Sequence, residues 1–188
     1  MIGKDTHGKL DRLVKTSELS PKLNMILMNA LYYKGRWNTR FNRRKTRKTL
    51  FFIDNTKSLY VDMMKGDGEF RVKNIESLDA KILGLPYQNK FIRMFIILPN
   101  KKDGLVALEQ NLMKLSSAEF YDFMSLRNVT LKKCTINIPK FELNIRVDIK
   151  QVLEKMGFKK LLENSSERIL EKAKVGLDMI LQKYYIEV

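Results

Sequence analysis

Residues 24–41 read NMILMNALYYKGRWNTRF. From Met25 to Tyr33 only Asn29 is polar, and the run holds neither Gly nor Pro. Such a run is too short to cross a bilayer and suits a strand covered on both faces. Gly35 permits a turn after it. Trp37, the single tryptophan of the chain, follows that turn. The plain reading is a core strand over residues 24–34, with the rest of the chain arranged around it.

Just beyond it, residues 40–48, RFNRRKTRK, form the densest charge run, with Arg40, Arg43, Arg44, Lys45, Arg47 and Lys48. They are expected in a solvated connection ahead of a strand at residues 50–53. Hairpins are expected over residues 58–98. Strands at 58–64 and 69–72 would turn at Gly66-Asp67-Gly68, and a buried hairpin would pair 80–87 with 92–98. Residues 103–124 switch to helical period. Leu105, Leu108, Leu112 and Leu115 share one side, and Ser116 with Glu119 reads as the capping box of a second helix. A strand is expected over 129–144, crossed by Pro139, which suits a bend. Asp148 is a candidate cap for a helix over 148–157 that stops at Gly157. Residues 159–176 read as polar and irregular, and a last strand occupies 177–188. Upstream, Leu10, Leu13 and Val14 sit at helical spacing in a short tail, before a turn at residues 17–21. Strands and helices mix without regular β-α-β alternation, so the class is α+β, mixed sheets with a few flanking helices.

The bulk chemistry narrows function mainly by exclusion. The 188 residues allow one domain or half of a larger one, and 44% hydrophobic content allows a real core. Lys and Arg outnumber Asp and Glu 36 to 21, a formal net charge of +15. That favours polyanions: nucleic acid, a glycosaminoglycan such as heparin, or an anionic membrane. The run at 40–48 is the candidate contact, with affinity falling steeply as salt rises; a solubilising loop is the competing reading. Aromatics do not alternate with its cations, so a base-stacking platform is not supported. One cysteine, Cys134, rules out an internal disulfide framework. One histidine, His7, leaves no basis for a His/Cys zinc site or a histidine-based catalytic triad. No nucleotide cradle of the GxxxxGK[ST] or GxGxxG type is written in the chain. No enzyme, cofactor or metal is therefore expected. No apolar stretch reaches the about 18 residues of a membrane span, and the polar start MIGKDTHGKL carries no signal-peptide core. Asn128-Val129-Thr130 and Asn164-Ser165-Ser166 fit the glycosylation sequon, making Asn128 and Asn164 candidate acceptors.

Several motifs, in order, share one resemblance. Asn29, Ala30, Leu31, Tyr32, Tyr33, Lys34, Gly35, Trp37 and Phe41 resemble the N-A-[hydrophobic]-[aromatic]-[aromatic]-K-G-x-W-x-x-x-F stretch of the serpin family, the serine protease inhibitors. Val61-Asp62-Met63-Met64 resembles its V-x-M-M, Leu85-Pro86-Tyr87 its E-L-P-Y, and Met94 to Asn100 with Gly104-Leu105 and Leu108-Glu109 its M-x-I-x-L-P-x and G-L-x-x-L-E. Ile138-Pro139-Lys140-Phe141 resembles L-P-K-F. Asp148-Ile149-Lys150, Leu153 and Met156-Gly157 resemble D-L-x-x-x-L-x-x-M-G, and Tyr185-Ile186-Glu187-Val188 resembles F-I-E-V, just before the reactive loop.

The resemblance implies a mechanical inhibitor. A protease cleaves an exposed bait loop, which then enters the main sheet as an extra strand. The strands flanking that entry would be residues 25–33 and 177–188. Asn29 would fall in the shutter region, and Trp37 and Lys140 in the breach. Gln182 stands where the family often has a histidine partner for Asn29. The resemblance also implies truncation at both ends, without the N-terminal helices or the reactive loop and closing strands. This chain alone is then expected to be non-inhibitory. A serine protease would be its partner only in a longer form, and an extracellular location is implied by family. Unpaired strand edges would leave it marginal as a monomer and prone to self-association. The alternative is a polyanion-binding module using Arg40 to Lys48.

Overall fold

The computed structural model describes residues 6–10, 13–89, 91–126, 128–163 and 176–188. They form an α+β fold that divides into two compact units: residues 1–34 with 141–188, and residues 35–140.

The first unit is built on a three-stranded sheet in the order β1-β8-β7. β1 is Ile26–Lys34, β7 is Glu142–Asp148 and β8 is Met179–Glu187. β8 runs parallel to β1 and antiparallel to β7. The expectation that the opening strand is covered on both faces is corrected here. Among the described residues β1 is paired along one edge only, by β8, and its faces are partly open, with Leu27 (54%), Met28 (49%) and Leu31 (44%) exposed. The small core gathers Leu162, Leu177 and Ile180 with Met25, Ile149 and Leu153 packed against them. Residues 6–10 form turns rather than a helix, with Leu10 fully buried, and a single 3-10 turn follows at Thr16–Glu18.

The helical segment after β7 also departs from its reading. Its N-cap is Ile149, while the Asp148 carboxylate accepts from the Lys150 N–H. Lys150–Leu153 (α3 below, after two helices of the second unit) runs into a widened turn, Glu154–Phe158. Gly157 sits there at φ 91° and kinks the segment without ending it. A further turn of helix, Lys159–Glu163 (α4), occupies the start of the stretch expected to be irregular, and it buries Leu162. Asn164 lies outside the described residues.

The second unit holds a five-stranded sheet: β2 Arg47–Phe52, β3 Ser58–Ile75, β4 Ala80–Pro86, β5 Arg93–Pro99 and β6 Leu131–Pro139. Two helices, α1 Leu105–Leu112 and α2 Ser117–Ser125, cover part of it. β3 is one strand of 18 residues, not two strands with a turn at Gly66-Asp67-Gly68. It pairs in succession with β2, β6 and β4. Neither glycine adopts a positive φ. They are glycines because residues 39–41 lie against the strand there. A Cβ on Gly66 would stand 2.9 Å from the Phe41 ring, and one on Gly68 would stand 3.2 Å from the Thr39 methyl.

The single strand expected over 129–144 is likewise two strands, β6 and β7, divided at Lys140–Phe141 and joined to different sheets. Pro139 ends β6, as a residue without an N–H suits a strand terminus. Two clusters form the core. Ile75, Leu78, Ala80, Ile82, Leu108, Phe123 and Leu126 pack between sheet and helices. Phe70, Leu85, Ile136 and Ile138 pack with Trp37 and Phe41. The Ser116–Glu119 capping box is formed, with Glu119 accepting from the Ser116 N–H at 2.8 Å.

Candidate functional site

β1 and β8 are hydrogen-bonded to each other along their whole length, from Ile26 opposite Met179 to Lys34 opposite Glu187. Asn29, the one polar residue of the apolar run, stands directly opposite Gln182. Both ends of the pair are pinned by carboxylates. At the start, Asp178 accepts from the N–H groups of Asn24 (2.6 Å) and Met25 (3.1 Å), and these bonds hold its pKa below the usual aspartate range. At the far end, Lys34 and Glu187 form an ion pair at 2.8 Å. The hydrogen bond between them lowers the pKa of Glu187 and raises that of Lys34.

The N-terminal segment crosses this sheet. His7 stacks on Tyr32 at 5.9 Å, and Tyr32 stacks on the fully buried Tyr185 at 5.5 Å. Lys9 lies over Tyr185 and pairs with Glu142 of β7 at 3.5 Å. Arg146 of β7 donates to the Leu13 carbonyl at 3.0 Å and to Glu18 at 2.8 Å. Sequence reading missed Asp178 and Arg146, and it marked Tyr185 only as part of a motif, not for its stacking. Their partners are far away in the chain, so no local pattern marks them.

In the second unit, Trp37 stacks on Tyr87 (4.3 Å, 15°) and meets the edge of Phe41. The Asn38 N–H donates to the Pro86 carbonyl, fixing this segment on the end of β4. Lys140 is held at a different point. Its N–H donates to the Asp62 carbonyl of β3 at 2.8 Å, and its side chain is exposed. Within the basic run, Arg43–Lys45 forms a 3-10 turn capped by Asn42, while Arg47 and Lys48 belong to β2 rather than to a solvated connection. Lys45 is paired with Asp67 and Lys48 with Asp62, so two of the six cations are engaged internally. Arg47 donates to the Thr46 carbonyl. This engagement weakens the polyanion reading. Asn128 is exposed beside Val129, as an acceptor asparagine must be. Among the described residues, no group of three or more metal-ligating side chains gathers, and no helix is long and apolar enough to cross a membrane.

Comparison with known proteins agrees across sequence and structure. The family profile described as Serpin (serine protease inhibitor) matches residues 1–188. The chain is 35% identical to alaserpin of Manduca sexta, over 97% of this chain and 47% of that protein. It is 30% identical to serine protease inhibitor 42Dd of Drosophila melanogaster, again over 97% of this chain and 47% of that protein. Among solved structures, a tumour-suppressing serpin superposes with a TM-score of 0.88 at 27% identity, covering 100% of this chain and 53% of that one. Serpin48 of the insect Tenebrio molitor superposes at 0.85 and 30% identity, covering 100% and 50%. The chain thus spans about half the length of the curated relatives it matches.

Proposed function

Because the chain belongs to the serpin family, we propose that β1 and β8 are the strands between which a cleaved reactive loop is received when a longer form traps a serine protease. The observation that carries this reading is the uninterrupted parallel pairing of the two strands. β1 and β8 are joined by a long connection rather than a tight turn, so their ladder can open to admit a third strand without breaking the chain path. Insertion would exchange one ladder of backbone hydrogen bonds for two, which supplies a driving force for loop entry. Asn29 and Gln182, opposed in mid-strand, are the residues we assign to the shutter of that gap. Trp37 and Lys140 are assigned to the breach by family resemblance. An extracellular site of action belongs to the same proposal, on the same ground.

The test is a covalent lock. Ala30 stands opposite Lys183, so Ala30→Cys with Lys183→Cys introduces a disulfide across the gap. The natural-length protein is expected to form an SDS-stable complex with a trypsin-like or chymotrypsin-like protease. The oxidised lock should abolish that complex, and reduction should restore it. A complex that forms equally well with the lock closed, or none from the natural-length protein, overturns the reading.

A further inference from the structure

At one end of the three-stranded sheet the charges are sorted by strand. Glu142 of β7 and Lys34 of β1 are both register partners of Glu187 in β8. Glu142 and Glu187 are therefore like charges set directly opposite each other, which destabilises an antiparallel pair unless cations offset it. Each acid has its own cation. Lys34 pairs with Glu187 at 2.8 Å, and Lys9 pairs with Glu142 at 3.5 Å. Below this row lies the fully buried Tyr185, whose phenol comes within 3.5 Å of the Glu187 carboxylate.

Both acids belong to the β7–β8 side of the β1–β8 boundary, and both cations reach them across it. Lys34 is part of β1 itself. Lys9 comes from the segment ahead of β1, and His7 of that segment stacks on Tyr32 of β1. Lys9 then lies over the Tyr185 ring of β8, 5.0 Å from its centre, on its way to Glu142 of β7. His7 and Lys9 thus hold opposite sides of one boundary. Further along, Arg146 of β7 ties the same segment down at the Leu13 carbonyl and at Glu18.

Parting β1 from β8 at this end therefore separates positive from negative charge. Lys34 leaves Glu187, and either the His7–Tyr32 stack or the Lys9–Glu142 pair must break. Two adjacent glutamates then remain with at most one lysine between them. The opposite end of the pair is different, since Asp178 holds backbone N–H groups there and not a cation row. An exposed ion pair is weak alone, whereas several charges acting as a network count for more.

We infer that Lys9, Lys34, Glu142 and Glu187 form a charge latch that sets how readily β1 and β8 part, and so how readily a third strand enters between them. The inference deepens the proposed function and rests on its assignment of β1 and β8 as the receiving strands.

The test is hydrogen exchange of the natural-length protein, read by mass spectrometry on peptides from the two ends of the β1–β8 pair. Glu187→Gln is expected to speed exchange about two- to fivefold at residues 30–34 and 182–187, the effect of losing one exposed ion pair. Residues 24–27, beside Asp178, should exchange as before. Lys34→Glu should speed exchange further, because three acids would then share the row. The swap Lys34→Glu/Glu187→Lys should return it to the parental rate or below, a rescue that loss of packing alone would not show. Unchanged exchange in Glu187→Gln, equal acceleration at both ends, or a swap no better than Lys34→Glu alone overturns the inference. Exchange reports on the strands themselves, so a protein that shows the latch and yet traps no protease overturns the receiving role and not the latch.

Discussion

Gly84 shows how tightly single positions are set. It lies in β4, and a Cβ placed there would stand 2.7 Å from Cδ1 of Leu126. Leu126 is 2% exposed and belongs to the cluster between sheet and helices, so it has nowhere to retreat. Gly84→Ala is therefore expected to cost about 1–3 kcal/mol, the usual range for overpacking a filled core. Urea denaturation of the purified variant would check this, and a change under about 0.5 kcal/mol, the range of an ordinary surface substitution, would count against such close packing. At Gly66 the neighbouring group is instead the half-buried Phe41 ring. That ring can tilt, so the same substitution there should be milder. Locally, the Gly66-Asp67-Gly68 triplet is indistinguishable from a hairpin turn. Only the approach of residues 39–41, more than twenty positions upstream, reveals that its glycines make room instead. Legibility fails at such residues because glycine serves two physical purposes with one letter.

The parallel β1–β8 pair depends on anchors at its ends, and Asp178 is the more testable of them. Its carboxylate accepts from two backbone N–H groups, at Asn24 and Met25, and its pKa is lowered. A carboxylate with a lowered folded-state pKa contributes stability above its unfolded value, about 3.9 for aspartate. That contribution is lost as the pH falls below this value through the folded one. Asp178→Ala should therefore melt at a lower temperature than the parent chain at neutral pH. The two melting curves should converge as the pH drops below the usual aspartate range. A gap that persists unchanged at low pH would show that the carboxylate charge plays no part. β1 itself was legible as an apolar run with one polar interruption, and the α1–α2 helices were legible from leucine spacing and the Ser116–Glu119 box. What stayed hidden was partnership. Composition shows that residues 25–33 are apolar, but not that, among the described residues, one edge of the strand is paired and the other is not. The division of residues 129–144 into β6 and β7 was hidden for the same reason. Pro139 suggested a bend, while the assignment of each half to a different sheet depends on partners distant in sequence.

Across the whole chain, charge is the dominant long-range term. A formal +15 over 188 residues repels itself in the compact state. That repulsion is screened over about 30 Å at 0.01 M salt and about 8 Å at 0.15 M. The melting temperature should accordingly rise as sodium chloride is raised across that range. The surface ion pairs, such as Lys45–Asp67 and Lys48–Asp62, are solvent-exposed and too weak to reverse the trend. A melting temperature that falls with added salt would show that attractive pairs outweigh net repulsion. The division into two units bears on how the molecule is made. Residues 35–140 are contiguous, but the three-stranded sheet draws on both sides of them. Met25 and Asp178, which open the β1–β8 pair, are 153 positions apart. At a synthesis rate of about 5–20 residues per second, roughly 8–30 s separate the appearance of β1 from that of its partner. For that interval Leu27, Met28 and Leu31 are without their β8 partner. The ribosome-bound nascent chain, rather than the finished protein, is thus the stage at which this apolar strand most needs a chaperone.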